Sequence, residues 1–316
     1  MKRWITAVLA CLVAGCMGLM LAGCSSQSYT PPAKQQTVST AALGKAGTLR
    51  VGVNASSAPL AGQTANSVRI VGIDVDIAAY LADQLGVKVE VIDVGTDPAG
   101  ALSSNKVDVV LGVENSDTTA SYWRSAAYIE SGVALFGKST ETAVPAVDSK
   151  PTIAAQVSSK SSWRVSNLFG EKSLAVQADL KSAFDALSKG TVRYVAADGI
   201  IGTYVAHTGD VDAKVVAMLQ DPSGYCAAIS QSNAELQGAI TTALDKLKNG
   251  GMLDIIETKW LGAPMALSSV PVVKAAPAPA AQPAATQADD QQDEGEGEGE
   301  GDEGEEGDAE GEGEAY

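Results

Sequence analysis

The sequence predicts an α/β protein on three observations. Apolar runs of strand length alternate with helical spacing from about Gly47 to Pro264, and glycines stand at the stops of helical segments. A Pro/Val/Ser-rich gap at 139–151 divides the pattern into two units. At roughly 100 to 200 residues per domain, the 316 residues hold one large domain or two lobes once the ends are set aside. Alternating strands and helices imply parallel sheets covered on both faces.

In the first unit, 49–53 reads as a short buried strand. Gly72-Ile73-Asp74-Val75-Asp76 opens a helix in which Ile77, Leu81 and Leu85 recur every four residues and Gly86 takes the stop position. A strand at 87–94, a short helix at 98–104 and apolar strands at 107–112 and 132–136 follow. In the second unit, strands are expected at 152–156, 173–177, 192–197 and 214–219. The helices between them lie at 161–168, 180–187 (ended by Gly190) and 200–206. After an apolar run at 225–230, two helices occupy 233–248 and 252–260, separated by Gly250-Gly251.

The ends differ in kind from this body. Met1-Lys2-Arg3 precedes an apolar run that closes on Leu21-Ala22-Gly23-Cys24, the layout of a secretory signal. That ending resembles the lipobox of bacterial lipoproteins, in which Cys24 becomes the lipidated first residue. Val13-Ala14-Gly15-Cys16 is a second candidate, but cleavage there would leave apolar 17–22 outside the removed signal. An uncleaved membrane anchor is the alternative. Residues 24–46 read as a lipid-anchored tether, because Ser, Thr, Gln, Pro and Ala bury too little to offset the entropy of ordering. An Ala/Pro linker is placed at 265–288, and a disordered Glu/Gly tail at 289–316 whose purpose is solubility or weak cation binding.

Charge follows the same division. The chain carries 38 Asp and Glu against 22 Lys and Arg, a formal charge of −16. Residues 289–316 hold 15 of those acids and no base, leaving 23 against 22 elsewhere. A nearly neutral body without a clustered basic face argues against nucleic acid as partner.

The usual marks of catalysis are missing. There is no Walker-type loop, no GxGxxG after a strand, no HExxH, GxSxG or CxxC. Of the four cysteines only Cys226 lies outside the signal and its lipobox, so neither an internal disulfide nor a cysteine metal cluster is expected. The lone His207 falls at a helix end. The sequence calls for no enzyme activity, cofactor or metal.

Several stretches resemble the extracytoplasmic solute-binding proteins of polar amino-acid ABC transporters, bacterial solute-binding family 3. They are Leu49-Arg50-Val51-Gly52-Val53, Gly72-Ile73-Asp74-Val75-Asp76-Ile77, Val107-Asp108-Val109-Val110, Tyr128-Ile129-Glu130-Ser131-Gly132-Val133, Val192-Arg193-Tyr194-Val195-Ala196-Ala197-Asp198, and Lys259-Trp260-Leu261-Gly262. The resemblance implies a two-lobed periplasmic-binding-protein-like (type II) fold with two hinge crossings and a central ligand cleft. Lobe 1 would take 47–137 and 231–264 and lobe 2 residues 138–230, with crossings near 137–151 and 221–230. It further implies a monomer that delivers a small polar solute to an ABC permease while its N-terminal lipid holds it to the bilayer.

Carried over residue by residue, the resemblance gives Asp198 the acidic position that grips a substrate amine, and Ser158 and Ser159 the hydroxyl position of lobe 2. The lobe 1 arginine that forks onto a substrate carboxylate is absent, replaced by Glu114-Asn115-Ser116-Asp117-Thr118-Thr119, with Arg124 the nearest substitute. The aromatic shelf after the first strand is also absent; Ser57 and Leu60 stand there. Ligand-binding candidates are therefore Ser57, Glu114, Ser116, Thr119, Ser158, Ser159 and Asp198. Arg recognises carboxylates in a planar, bidentate way, so its replacement by Glu favours an amine-bearing solute. Glu114 facing solvent and Asp198 serving only as a helix cap are the plainer readings. Two other functions stay open: a surface or sensory binding protein without a transport role, and a dehydratase with Glu114 as acid or base.

Overall fold

The structure is a computed structural model that describes residues 34–64, 68–115 and 121–274. Two mixed five-stranded sheets form the body. The first runs in the order β5 (Lys88–Asp93), β1 (Thr48–Val53), β6 (Val109–Glu114), β13 (Tyr225–Ile229) and β7 (Trp123–Arg124). The second runs β10 (Leu174–Gln177), β9 (Ile153–Gln156), β11 (Tyr194–Asp198), β8 (Val133–Gly137) and β12 (Lys214–Met218). A small antiparallel sheet of β2 (Ser56–Ser57), β3 (Ala61–Gln63) and β4 (Ile70–Val71) flanks the first.

Helix α1 (Ile73–Leu85) shows how the sequence fixes these elements. Asp76 lies in its first turn, where the helix dipole favours negative charge, and Gly86 ends it in the left-handed conformation at φ 69°. Its Ile77, Leu81 and Leu85 are buried in the core of the first lobe, against residues of α6 (Ala234–Asn249) and α7 (Met252–Leu261). Asp76 Oδ2 accepts from Trp260 Nε1 at 2.7 Å and Lys259 Nζ at 2.6 Å, which ties α7 to α1. A short α2 (Pro98–Ser103) covers the outer face of this lobe, while α3 (Lys160–Phe169), α4 (Leu180–Lys189) and α5 (Gly199–Thr208) cover the second.

Two expectations are corrected. The sheets are not purely parallel: β1 pairs with β5 and β6 in parallel, but β13 runs antiparallel to β6, and β8 antiparallel to β11 and β12. In addition, the strand at 133–137, grouped with lobe 1 on sequence, belongs to the second sheet, and the apolar run at 225–229, grouped with lobe 2, belongs to the first. An apolar run identifies a buried strand without identifying its neighbours.

The crossings therefore fall at 130–132 and 219–224, and they lie side by side. Leu219 N–H donates to Val133 O at 2.8 Å, Ser223 N–H to Ser131 O at 2.8 Å, and Tyr225 N–H to Ile129 O at 3.0 Å. A third stretch leaves α7 for the second lobe. There Leu267 is buried in the core, and Pro271 O accepts from Met218 N–H at 2.8 Å while Val273 N–H donates to Met218 O at 2.8 Å. Residues 265–274, placed in the linker on sequence, thus cover the exposed edge of β12. They carry enough large apolar groups, among them Met265, Leu267 and Val273, to offset their ordering.

Candidate functional site

The ends of β6 and β13 face the start of α3 and the β11–α5 junction across a cleft. Two cavities there, of about 310 Å³ and 240 Å³, share Glu114, Lys160, Ser161, Asp198 and Tyr225. Strand register explains the first-lobe side, since Tyr225 pairs with Glu114 at the ends of their strands. Larger spaces of about 450 Å³ beside α5 and about 460 Å³ beside Arg193 exist elsewhere. The former is mainly apolar, and neither brings charged groups from both lobes together, so the cleft is the stronger candidate on chemistry.

Asp198 is the last residue of β11 and the N-cap of α5. Its Oδ1 accepts from Ile200 N–H at 2.9 Å and Ile201 N–H at 3.0 Å, and its Oδ2 accepts from Ser131 Oγ at 2.6 Å. Burial raises its pKa from that of an ordinary aspartate; the three hydrogen bonds oppose that shift, and nearby Glu114 adds to it. Burial, helped by Asp198 and Glu114, likewise raises the Tyr225 hydroxyl. The site therefore favours an added positive charge next to Asp198.

Glu114 ends β6 in the first lobe, and Lys160 begins α3 in the second. Lys160 Nζ donates to both carboxylate oxygens of Glu114, at 2.7 Å and 2.6 Å, so this ion pair spans the cleft. The helix starts there because Ser159 and Ser162 form a reciprocal capping box. Ser162 N–H donates to Ser159 Oγ at 3.0 Å, and Ser162 Oγ accepts from Ser159 N–H at 3.1 Å. Ser159 Oγ itself donates to Gln156 O at 2.7 Å.

Of the sequence-predicted candidates, Glu114, Ser159 and Asp198 line the cleft together. Ser57 lies on β2 and Ser158 in the turn before α3, and neither is among the residues lining the two cavities. Ser116, Thr119 and Cys24 fall outside the described residues. Arg124 donates from Nη1 to Asn115 O at 3.1 Å and does not line the cavities. Sequence reasoning missed Lys160, Ser131 and Tyr225. Position alone could have pointed to Lys160, which directly follows a candidate hydroxyl at a helix start. Among the described residues no group of three His, Cys, Asp or Glu side chains is arranged to hold a metal.

Two α/β lobes, joined by paired crossings and enclosing a polar cleft, define a two-lobed solute-binding protein. The chain belongs to the bacterial extracellular solute-binding proteins, family 3, whose model matches residues 49–263. It is 24% identical over 226 residues to the L-cystine-binding protein TcyA of Bacillus subtilis (strain 168), covering 70% of this chain and 84% of that one. Its fold is similar to that of the L-cystine solute receptor of Neisseria gonorrhoeae in an unliganded open conformation, with TM-score 0.60, 21% identity, and coverage of 68% of this chain and 93% of that one. It is also similar to a polar amino acid ABC uptake transporter substrate binding protein from Streptococcus thermophilus, with TM-score 0.60, 16% identity, and coverage of 68% and 86%. These relatives are binding proteins and receptors, not enzymes, and the family is extracellular. Among the described residues no helix is long and apolar enough to cross a membrane.

Proposed function

We propose that this chain is a membrane-anchored substrate-binding protein that captures a small polar amino acid or other amine-bearing solute and delivers it to an ABC permease. The observation that carries this reading is the convergence of Glu114, Asp198 and Lys160 on the two cavities of the interlobe cleft. A solute ammonium there meets a carboxylate from each lobe. Charge-assisted hydrogen bonds of about 1.5–3 kcal/mol each offset its desolvation. Because the contacts come from both lobes, the solute binds the closed form better and shifts the hinge toward it, and that form gives a permease something to recognise. The named function of TcyA supports an amino acid as solute.

A thermal-shift screen of amino acids, polyamines and small peptides tests the binding function. A solute at 100 times its dissociation constant should stabilise the chain by about 2.7 kcal/mol. A flat response across the panel counts against the proposal. The anchor is read at Cys24, where lipid chains contribute about 0.8 kcal/mol per buried methylene. Mass spectrometry of the N-terminal peptide checks it: a chain still carrying residues 1–23 and no lipid removes the anchor from the proposal.

A further inference from the structure

Among the described residues that line the two cleft cavities, Lys160 is the only cation. Its Nζ reaches across to both oxygens of Glu114, so its charge stands between the lobes and not out along the helix surface. The pair is open to water, with the two side chains 76% and 49% exposed. An ion pair that open adds little stability and is readily exchanged for other partners. Any carboxylate entering this cleft would otherwise face Glu114 and Asp198, which repel it.

We propose that Lys160 is the carboxylate-reading residue of this cleft and that the solute is a zwitterion bound by partner exchange. The proposal rests on the binding function set out above. The solute ammonium takes Lys160's place on Glu114 and lies beside Asp198, while the solute carboxylate takes Glu114's place on Lys160. One pair between the lobes becomes two pairs through the solute, so binding and lobe closure are coupled. A plain amine displaces Lys160 from Glu114 without offering it a new partner. An uncompensated ammonium in a closing cleft is costly.

The test uses pairs of probes that differ by one carboxylate: L-cystine with cystamine, L-lysine with cadaverine, and L-serine with ethanolamine. Each is titrated into the full chain in detergent by calorimetry. Wild type should bind at least one amino acid about tenfold or more tightly than its decarboxylated partner. Lys160→Gln should abolish that preference by weakening the amino acid about ten- to a hundredfold without weakening the amine. Lys160→Arg should restore the preference. A preference that survives Lys160→Gln, or a wild type that favours the amines, overturns the proposal while leaving the binding function standing. A wild type that binds none of the six overturns the exchange proposal, and a flat response across the wider screen overturns the binding function as well.

Discussion

Lys160 Nζ lies 2.6 Å and 2.7 Å from the two carboxylate oxygens of Glu114, bridging lobes whose sheets share no hydrogen-bonded strand pair among the described residues. Exposure keeps the thermodynamic weight of this pair small. Glu114→Gln should change unfolding free energy by less than about 1 kcal/mol. In the binding function proposed above it should nevertheless weaken an amine-bearing solute about tenfold or more, because the charge-assisted hydrogen bond is lost. Chemical denaturation and calorimetric titration of the same variant separate the two effects. A large stability loss with unchanged affinity would make Glu114 a structural residue.

Asp198 has two duties that its substitutions can divide. As N-cap it accepts from two α5 N–H groups, and Asn caps nearly as well as Asp. Asp198→Asn should therefore hold the melting temperature within a few degrees while weakening the solute about ten- to a hundredfold. Asp198→Ala should show the same weakening plus a loss of about 1 kcal/mol in stability. If Asn preserves affinity, the carboxylate charge takes no part in binding.

The raised pKa of Asp198 also sets a pH dependence. Burial is its main cause, and an ammonium beside the carboxylate favours the ionised form. Affinity should fall as pH drops through the raised pKa, at a higher pH than an ordinary aspartate would give. Asp198→Asn should flatten that dependence. Titrations at a series of pH values provide the check, and an equally steep profile in the variant would assign the effect to another group.

Much of this architecture is legible in the sequence, for physical reasons. The α1 segment announces itself because Ile77, Leu81 and Leu85 share one face and Gly86 supplies a left-handed stop that residues with a Cβ adopt reluctantly. Sheet membership of β8 and β13 is not legible, since a strand buried on both faces has the same apolar pattern wherever it is inserted. At the site, Asp198 and Glu114 are reached through their place in family-like stretches. Lys160 escapes because a lysine in the first turn of a helix ordinarily points to solvent, and only the approach of the other lobe gives it a partner. Tyr225 is hidden within an apolar run.

A buried acid in the first lobe gives a separate pH signature. Asp74 Oδ1 accepts from Tyr128 Oη at 2.5 Å, and burial pushes its carboxyl from 3.8 up to about 7, against the lowering effect of that hydrogen bond. The folded chain holds a proton that the unfolded chain releases. Its contribution to stability is complete below about pH 4 and is lost as pH rises toward 7 and beyond. The loss amounts to at most about 4 kcal/mol. Asp74→Asn keeps an acceptor for Tyr128 and cannot ionise, so urea unfolding between pH 4 and 8 should show a flatter profile and a gain at pH 8. Glu257, also raised to about 7 mainly by burial, should leave a residual slope in that variant. A wild-type profile unchanged by the substitution would mean that Asp74 does not titrate in this range.

Two truncations should behave in opposite ways, because the residues they remove differ in what they can bury. The segment 289–316 contains Glu, Asp and Gly with almost no large apolar side chain, so its deletion should leave melting temperature and solute affinity unchanged. A stop after Pro264 instead removes Leu267, 2% exposed, and Val273, 6% exposed, and strips β12 of its partners at Pro271 and Val273. Loss of one such leucine typically costs about 2–5 kcal/mol, and the newly opened strand edge invites association. The shorter chain should therefore melt many degrees lower and aggregate on warming. Leu267→Ala in the full chain isolates the packing contribution and should account for a large part of the fall. If the stop after Pro264 melted like wild type, the segment after α7 would be a covering on the second lobe that adds nothing to its stability.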